Sequence, residues 1–390
     1  MHVDAATARS ARLRAQHLRE PGLPDVPSAV GHLLAVQGQE LRPTLWGLAG
    51  RLAPIARPGE SEALADLDGG QFLRTHVLRP TWHLVRPDDA RWLLELTAAR
   101  VARTMASTEK QWGLADPSAA IDAVADEVTA GPRSRAELTA TLVARGLVAA
   151  DAPGITVTHV LMHAELRRVV VSGPTAEGYH TYAAFDARVP AGYGTLGSRF
   201  DRQAAVRELW RRYLPGRAYA TVKDLGRWSG LTLTELRGGL ADLLDAGEAV
   251  AVPGAGDLEG LTLVSTPAVH DAATTDRATA RRDGAQRAAV SPSGPVVDLL
   301  CGYDELISSY GETRGVVTEP RASEPGRVGA FVHTVAVDGL LAARWRWPAR
   351  PPAGGDLELQ WQRVPEPAEL DAVRDAATRL AVYLAGGVAG

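Results

Sequence analysis

Residues 221–265 read TVKDLGRWSGLTLTELRGGLADLLDAGEAVAVPGAGDLEGLTLVS, and the order of signals in this stretch decides the fold. Thr221 is placed to cap a helix reaching Trp228, and Ser229-Gly230-Leu231 supplies a short turn. Thr232 opens the next helix with Glu235 three residues on, the spacing of a reciprocal capping box. Leu233, Leu236, Leu240 and Leu243 follow at helical spacing until Gly247 stops the helix. AVAVP and LTLVS then read as two strands around the Gly-rich tip GAGDLEG. Helix, turn, helix and strand pair in this order, from about residue 205 to 265, is the syntax of a winged helix-turn-helix.

The same syntax occurs twice upstream. Over about 117–187, Ser134 and Glu137 form another capping box, Ile155 to Arg168 is the second helix, and VVVSG and YHTYAAF flank the tip PTAEG. A looser copy fills about 1–110. There TWHLV is a strand, Asp88 caps a helix to roughly Arg100 with Trp92 and Leu96 on one face, and His32 to Val36 reads as an apolar helical stretch. After about 290 the pattern changes. FVHTVAV and LLAARWRW are strands joined by Asp338-Gly339, a two-residue hairpin turn. Alternation puts Arg344 and Arg346 on one face and Trp345 and Trp347 on the other. LELQWQRV is a further strand, and a helix from about Pro367 to Leu384 closes the chain. The expected architecture is α+β and mostly helical. Winged helices fill 1–116, 117–200 and 201–270, an exposed connector spans 271–293, and β-hairpin elements with a closing helix occupy 294–390.

The 390 residues are 45% hydrophobic and 23% charged, which fits a soluble globular chain. No apolar run reaches the roughly 18–20 residues that span a bilayer, and the polar N-terminus lacks a secretory core. A cytoplasmic, nucleoid-associated monomer without membrane contact is expected. The single cysteine, Cys301, excludes an intramolecular disulfide, an all-cysteine zinc site and an iron–sulfur cluster, and after VVDLL it reads as a buried thiol. Net charge is −4, so any affinity for nucleic acid must be local. Between Arg202 and Arg227 lie Arg202, Arg207, Arg211, Arg212, Arg217, Lys223 and Arg227, against Glu208 and Asp224. Such a patch is either a solvated helix face or a phosphate-contacting surface.

Several chemistries can be set aside. The sequence has no P-loop and no dinucleotide fingerprint, and its GxSxG-like traces lack a strand–helix context. His159 and His163 share a helix face, but Val160 stands where a metalloprotease has Glu and no third ligand is evident, so neither metal nor cofactor is expected. What remains is Gln37-Gly38-Gln39, ahead of Arg42-Pro43. Taken alone, two glutamines around a glycine are either polar residues at a helix end or a functional pair.

LLAVQGQELRPTLWGL (33–48) and FLRTHVLRPTWHLVRPDDARWLL (72–94) resemble the opening of the winged-helix DNA glycosylases of the AlkZ/YcaQ type. LMHAELRRVVVSGP, YHTYAAFDARVP, RQAAVRELWRRYL, ATVKDLGRWSGL, LLCGYDELISSY and FVHTVAVDGLLAARWRW continue the resemblance, in family order, through nearly the whole chain. The resemblance implies three tandem winged helices in a C-shaped body around duplex DNA. It also implies a catalytic Gln-x-Gln, which falls on Gln37 and Gln39, and glutamine at 39 places the chain nearer the AlkZ branch than the Gln-x-Asp branch. That branch implies N7-alkylguanine substrates, including bulky adducts and interstrand crosslinks, and self-resistance to an alkylating natural product.

Within that frame Arg42, Arg79 and His83 are candidates for the DNA face near the glutamines. Arg211, Arg212 and Lys223 are candidates in the third unit, and Arg344 and Arg346 on the hairpin. Tyr303, Asp304 and Glu305 recur as an anchor, Asp304 reading as a cap. A transcription regulator without catalysis, a housekeeping 7-methylguanine glycosylase, and a protein that sequesters the alkylating agent are the competing readings.

Overall fold

The computed structural model describes residues 2–19, 21–275, 294–318 and 332–386. Most of the expected connector, residues 276–293, lies outside the described residues, while 271–275 continue a helical segment that begins at 267.

The chain opens with α1 (Ala5–Ala15) and α2 (Val26–His32), then β1 (Ala35–Gln37), α3 (Leu41–Ala49), α4 (Glu60–Asp68), β2 (Leu73–His76), β3 (Trp82–Val85) and α5 (Pro87–Gln111). The three strands form an antiparallel sheet in the order β1-β3-β2, with Gln37 opposite His83. The middle segment holds α6 (Ser118–Thr129), β4 (Arg133–Ser134), α7 (Arg135–Ala144), α8 (Gly154–Leu166), β5 (Val170–Ser172) and β6 (Thr181–Ala184), with sheet order β4-β6-β5, and ends in the single turn α9 (Phe185–Arg188). Next come α10 (Arg202–Arg217), α11 (Val222–Ser229), α12 (Leu233–Asp245) and the hairpin of β7 (Val250–Pro253) with β8 (Thr262–Ser265). The C-terminal strands β9 (Val297–Leu300), β10 (His333–Val337), β11 (Leu340–Trp345) and β12 (Leu359–Trp361) form a four-stranded antiparallel sheet, covered by the closing helix Pro367–Leu384.

The local signals act as their chemistry dictates. Ser134, Thr221 and Thr232 each accept a bond from the backbone three residues on, completing the capping boxes of α7, α11 and α12. Asp338 and Gly339 both take positive φ, as the primed turn between β10 and β11 requires. Trp345 is fully buried and Cys301 is a buried free thiol.

Two elements differ from the sequence expectation. Residues 33–36 do not continue a helix: α2 stops at His32, Leu34 turns the chain at φ 61°, and β1 begins at Ala35. A buried strand of three residues shows no alternation, so a short apolar run cannot reveal its type. The helix expected from Asp88 to Arg100 starts at Pro87, which presets φ, and runs 25 residues to Gln111 because no glycine or proline interrupts it before Gly113.

The cores do not follow the sequence order. One gathers Ala35, Leu73, Trp92 and Leu93 with Phe185, Trp210, Trp228 and Tyr310, joining the first, second and third segments with one residue of the C-terminal segment. Another packs Val30, Leu33, Val36, Trp46 and Leu84 against Leu299, Val335, Trp345 and Leu380 of the C-terminal segment. The first segment is thus shared between two hydrophobic cores, and β1 lies where they meet.

Candidate active site

Gln37 ends β1 and is buried. Its amide N–H donates to Glu305 Oε1 at 3.1 Å, and its carbonyl accepts from Thr44 Oγ1 at 3.1 Å. Gly38 prolongs the ladder by donating to the Trp82 carbonyl at 2.8 Å. A Cβ at Gly38 would lie 3.1 Å from Leu84 Cγ, so a side chain here would need Leu84 to give by a few tenths of an ångström. Gln39 lies just past the end of β1, in the bend that leads to α3. Gln39 is exposed, and its Oε1 lies 3.4 Å from the Trp82 amide nitrogen, which donates to it.

The Gln37 side chain is oriented by Arg79 and, through it, by His83. Arg79 Nη2 donates to Gln37 Oε1 at 3.1 Å and to His83 Nε2 at 3.3 Å. His83 Nδ1 donates to the Thr81 carbonyl at 2.9 Å, the assignment that leaves Nε2 as the acceptor. Burial, with the Arg79 charge added, holds His83 well below its ordinary pKa, so the ring is neutral. Gln37 therefore presents a side-chain carbonyl fixed by a cation, with capacity to accept a second hydrogen bond.

Three residues that sequence reasoning did not connect with the glutamines complete the site. Arg74 on β2 donates from Nε to the Gly38 carbonyl at 2.9 Å and from Nη2 to the Gln39 carbonyl at 3.0 Å. Its guanidinium stacks 3.9 Å from the Trp82 ring centre, and burial lowers its pKa to about 10, still charged at neutral pH. Trp82 in turn packs against His76 and His180, and His76 pairs with the fully buried Glu165 of α8. Glu305 accepts from Gln37, Arg217 (2.8 Å), Trp228 Nε1 (2.9 Å) and Ser309 Oγ (2.5 Å), so one buried carboxylate ties β1 to α10 and α11. Arg74 carries no local signal, because a strand arginine reads as solvated. Glu305 stood in a recognisable segment, but its partners on β1, α10 and α11 are 77 to 268 residues away.

The other candidates are placed as follows. Arg42 is paired with Glu60, Arg211 with Glu248, Arg212 with Asp89 and Lys223 with Glu312. Arg346 pairs with Glu358 at the exposed end of β11, and Arg344 is half-buried. Of the seven basic residues in 202–227, six lie in ion pairs, the remaining pairs being Arg202–Glu235, Arg207–Asp242 and the buried Arg217–Glu305. The segment is therefore far less positive than its sequence. Asp304 caps the turn Glu305–Ser308 and pairs with buried Arg51, in agreement with its reading as a cap. His159 and His163 do have a third neighbour: Glu109, from the extended end of α5, lies 3.1 Å and 2.9 Å from them. The shortened α5 expected from sequence concealed it.

A model of the DNA glycosylase AlkZ-like family matches residues 30–383. Among solved structures the chain is similar to the Streptomyces sahachiroi DNA glycosylase AlkZ, with a TM-score of 0.70 and 22% identity, covering 98% of this chain and 97% of that one. That likeness shows the winged-helix fold. No curated protein matches the chain. No described helix is long and apolar enough to cross a membrane. With its sequence matched over nearly all its length, the chain belongs to the AlkZ-like family and is a DNA glycosylase.

Proposed function

We propose that this glycosylase hydrolyses the N-glycosidic bond of N7-alkylguanine in duplex DNA, with Gln37 and Gln39 holding the attacking water. The observation that carries the reading is the Gln37 amide at the end of β1, its side-chain carbonyl fixed by Arg79 and its backbone by Glu305, with the exposed Gln39 two residues on held against β3 at Trp82. N7 alkylation makes guanine cationic, which weakens the glycosidic bond and provides a neutral leaving group. The sugar passes through an oxocarbenium-like state, so water must be placed near C1′ more than it must be deprotonated. A glutamine carbonyl can accept from that water while a neighbouring amide donates to a sugar or phosphate oxygen, and placement alone lowers barriers by several kcal/mol. Neither side chain ionises and His83 is neutral, so the rate stays nearly flat from pH 6 to 8.

The exposure of Gln39 supports a site open enough for bulky adducts, and for crosslinked bases that cannot swing fully out of the helix. We read the β1-β3-β2, β4-β6-β5 and β7-β8 sheets with their helices as three winged helices presenting this surface as a monomer. A nucleoid-associated role in repair or self-resistance follows from that substrate. The test is single-turnover release of 7-methylguanine by Gln37→Ala and Gln39→Ala, with binding measured in parallel. Each should lose roughly ten- to a thousand-fold in rate, the scale of one lost positioning group, with little change in affinity. Parental rates in both variants would end the assignment.

A further inference from the structure

If the usual basic surface of the third segment is largely neutralised, phosphate must be met elsewhere. Asp224, near the start of α11, accepts backbone N–H bonds from Gly311, Glu312 and Thr313 at 2.8, 2.8 and 3.0 Å, and a further bond from Thr313 Oγ1. This clamps the segment carrying Arg314 against α11. Arg227, one turn after Asp224, lies directly over Gly311: a Cβ there would be 2.5 Å from Arg227 Cδ. Arg314 Nε donates to the Tyr310 carbonyl at 3.3 Å, at the other end of the same turn. The far end of α11 meets the active site, for a Cβ on its cap Gly230 would stand 3.0 Å from the carbonyl of Leu78, the residue before Arg79.

We infer that Arg79, Arg227 and Arg314 form a phosphate-binding cleft beside Gln37, which grips the DNA backbone next to the nucleotide being excised. The adjacency to the excised nucleotide rests on the water-placing role proposed for the glutamines. Arg227 and Arg314 are exposed, and among the described residues no ion pair engages any of the three. The carboxylates behind them, Asp224 and Glu305, are buried and already saturated with donors. The three cations also feel one another. Burial lowers the pKa of Arg79 and Glu305 raises it, with Arg227 and Arg314 lowering it further; burial and then Arg227 lower that of Arg314, and Asp224 raises it. A phosphate between them relieves that repulsion, and because Arg79 also holds Gln37, it couples backbone grip to the orientation of the catalytic amide.

The experiment measures binding of the full chain to a duplex with one tetrahydrofuran abasic-site analogue, as a function of salt. Arg227→Ala/Arg314→Ala should reduce the log–log salt slope by about one, because both arginines act on a single phosphate. Arg211→Ala/Arg212→Ala, whose charges are ion-paired, should leave the slope near parental. A scan replacing single phosphates by methylphosphonate should find one position beside the analogue that weakens the parent but not the Arg227/Arg314 variant. An unchanged slope in that variant, or equal methylphosphonate sensitivity in variant and parent, overturns the cleft. These readouts use binding alone. A reduced slope alongside parental base release in the Gln37 and Gln39 variants would therefore reject the water-placing reading and keep the cleft.

Discussion

Replacing Glu305 by glutamine changes one oxygen for an NH₂ group at the point where β1, α10 and α11 are joined. The carboxylate accepts four bonds, one on Oε1 from Gln37 and three on Oε2 from Arg217, Trp228 and Ser309. An amide has one acceptor oxygen. If that oxygen keeps the three donors, the new NH₂ faces the Gln37 N–H, donor against donor. If it turns to Gln37, the NH₂ faces Arg217, Trp228 and Ser309. Either way Arg217, itself fully buried, loses its counter-charge. Breaking a buried pair at one end costs about 3–5 kcal/mol, a large part of the 5–15 kcal/mol typical of a folded domain. Glu305→Gln should therefore fold in the cold with a clearly lower urea midpoint by tryptophan fluorescence. Its single-turnover base release, measured where it is folded, should fall at least ten-fold as Gln37 loses its anchor. Combining it with Arg217→Met should restore part of the stability but not the rate. A Glu305→Gln protein with parental midpoint and parental rate would refute the claim that this carboxylate holds the catalytic strand.

Arg74→Ala removes both bonds to the Gly38 and Gln39 carbonyls and the stacking on Trp82. Base release should drop by roughly ten- to a hundred-fold with binding little altered, and Arg74→Lys should not rescue it, because a lysine cannot make the forked contact. Burial lowers His333 to about 4 from an ordinary 6.5, so the unfolded chain takes up a proton that the folded chain refuses. The stability it permits is complete above pH 6.5 and is lost as pH falls toward 4, about 2 kcal/mol at pH 5. Urea midpoints at pH 7 and 5 should differ accordingly, and less so in His333→Gln. Lys110 and Lys223 are the only lysines, and Lys223 is paired with Glu312 at 2.6 Å. Since a lyase step needs an amine and only these lysines and the N-terminus offer one, borohydride should trap no covalent protein–DNA adduct, and the product should be an intact abasic strand.

What could be read from the sequence is what residues a few positions apart decide. Ser134 with Glu137, Thr232 with Glu235 and Asp338-Gly339 each specify a local conformation by themselves, and α7, α12 and the β10–β11 turn follow. The glutamine pair was visible as a motif only through its ordered neighbours, and its strand was not, since three buried residues have no period. The electrostatics were least legible. Arg211 and Glu248 are 37 residues apart, Arg212 and Asp89 123, so the charge density of 202–227 gave no sign that folding would offset it. Arg227 looked like one more member of that run, and only the packing on Gly311 sets it apart.

The position of β1 between two cores has a mechanical consequence. Ala35 points into the core shared with α5, α10 and α11, while Leu33 and Val36 point into the core shared with the C-terminal sheet. The two halves of the molecule cannot slide past each other without shearing this three-residue strand, whose ladder to β3 and bond to Glu305 resist it. Gln37 thus sits on the seam between the two cores, with Gln39 just beyond it. Side chains that act by location, with no charge to reach across a misfit, depend on such a place, and loosening either core should blunt the site before it unfolds the protein.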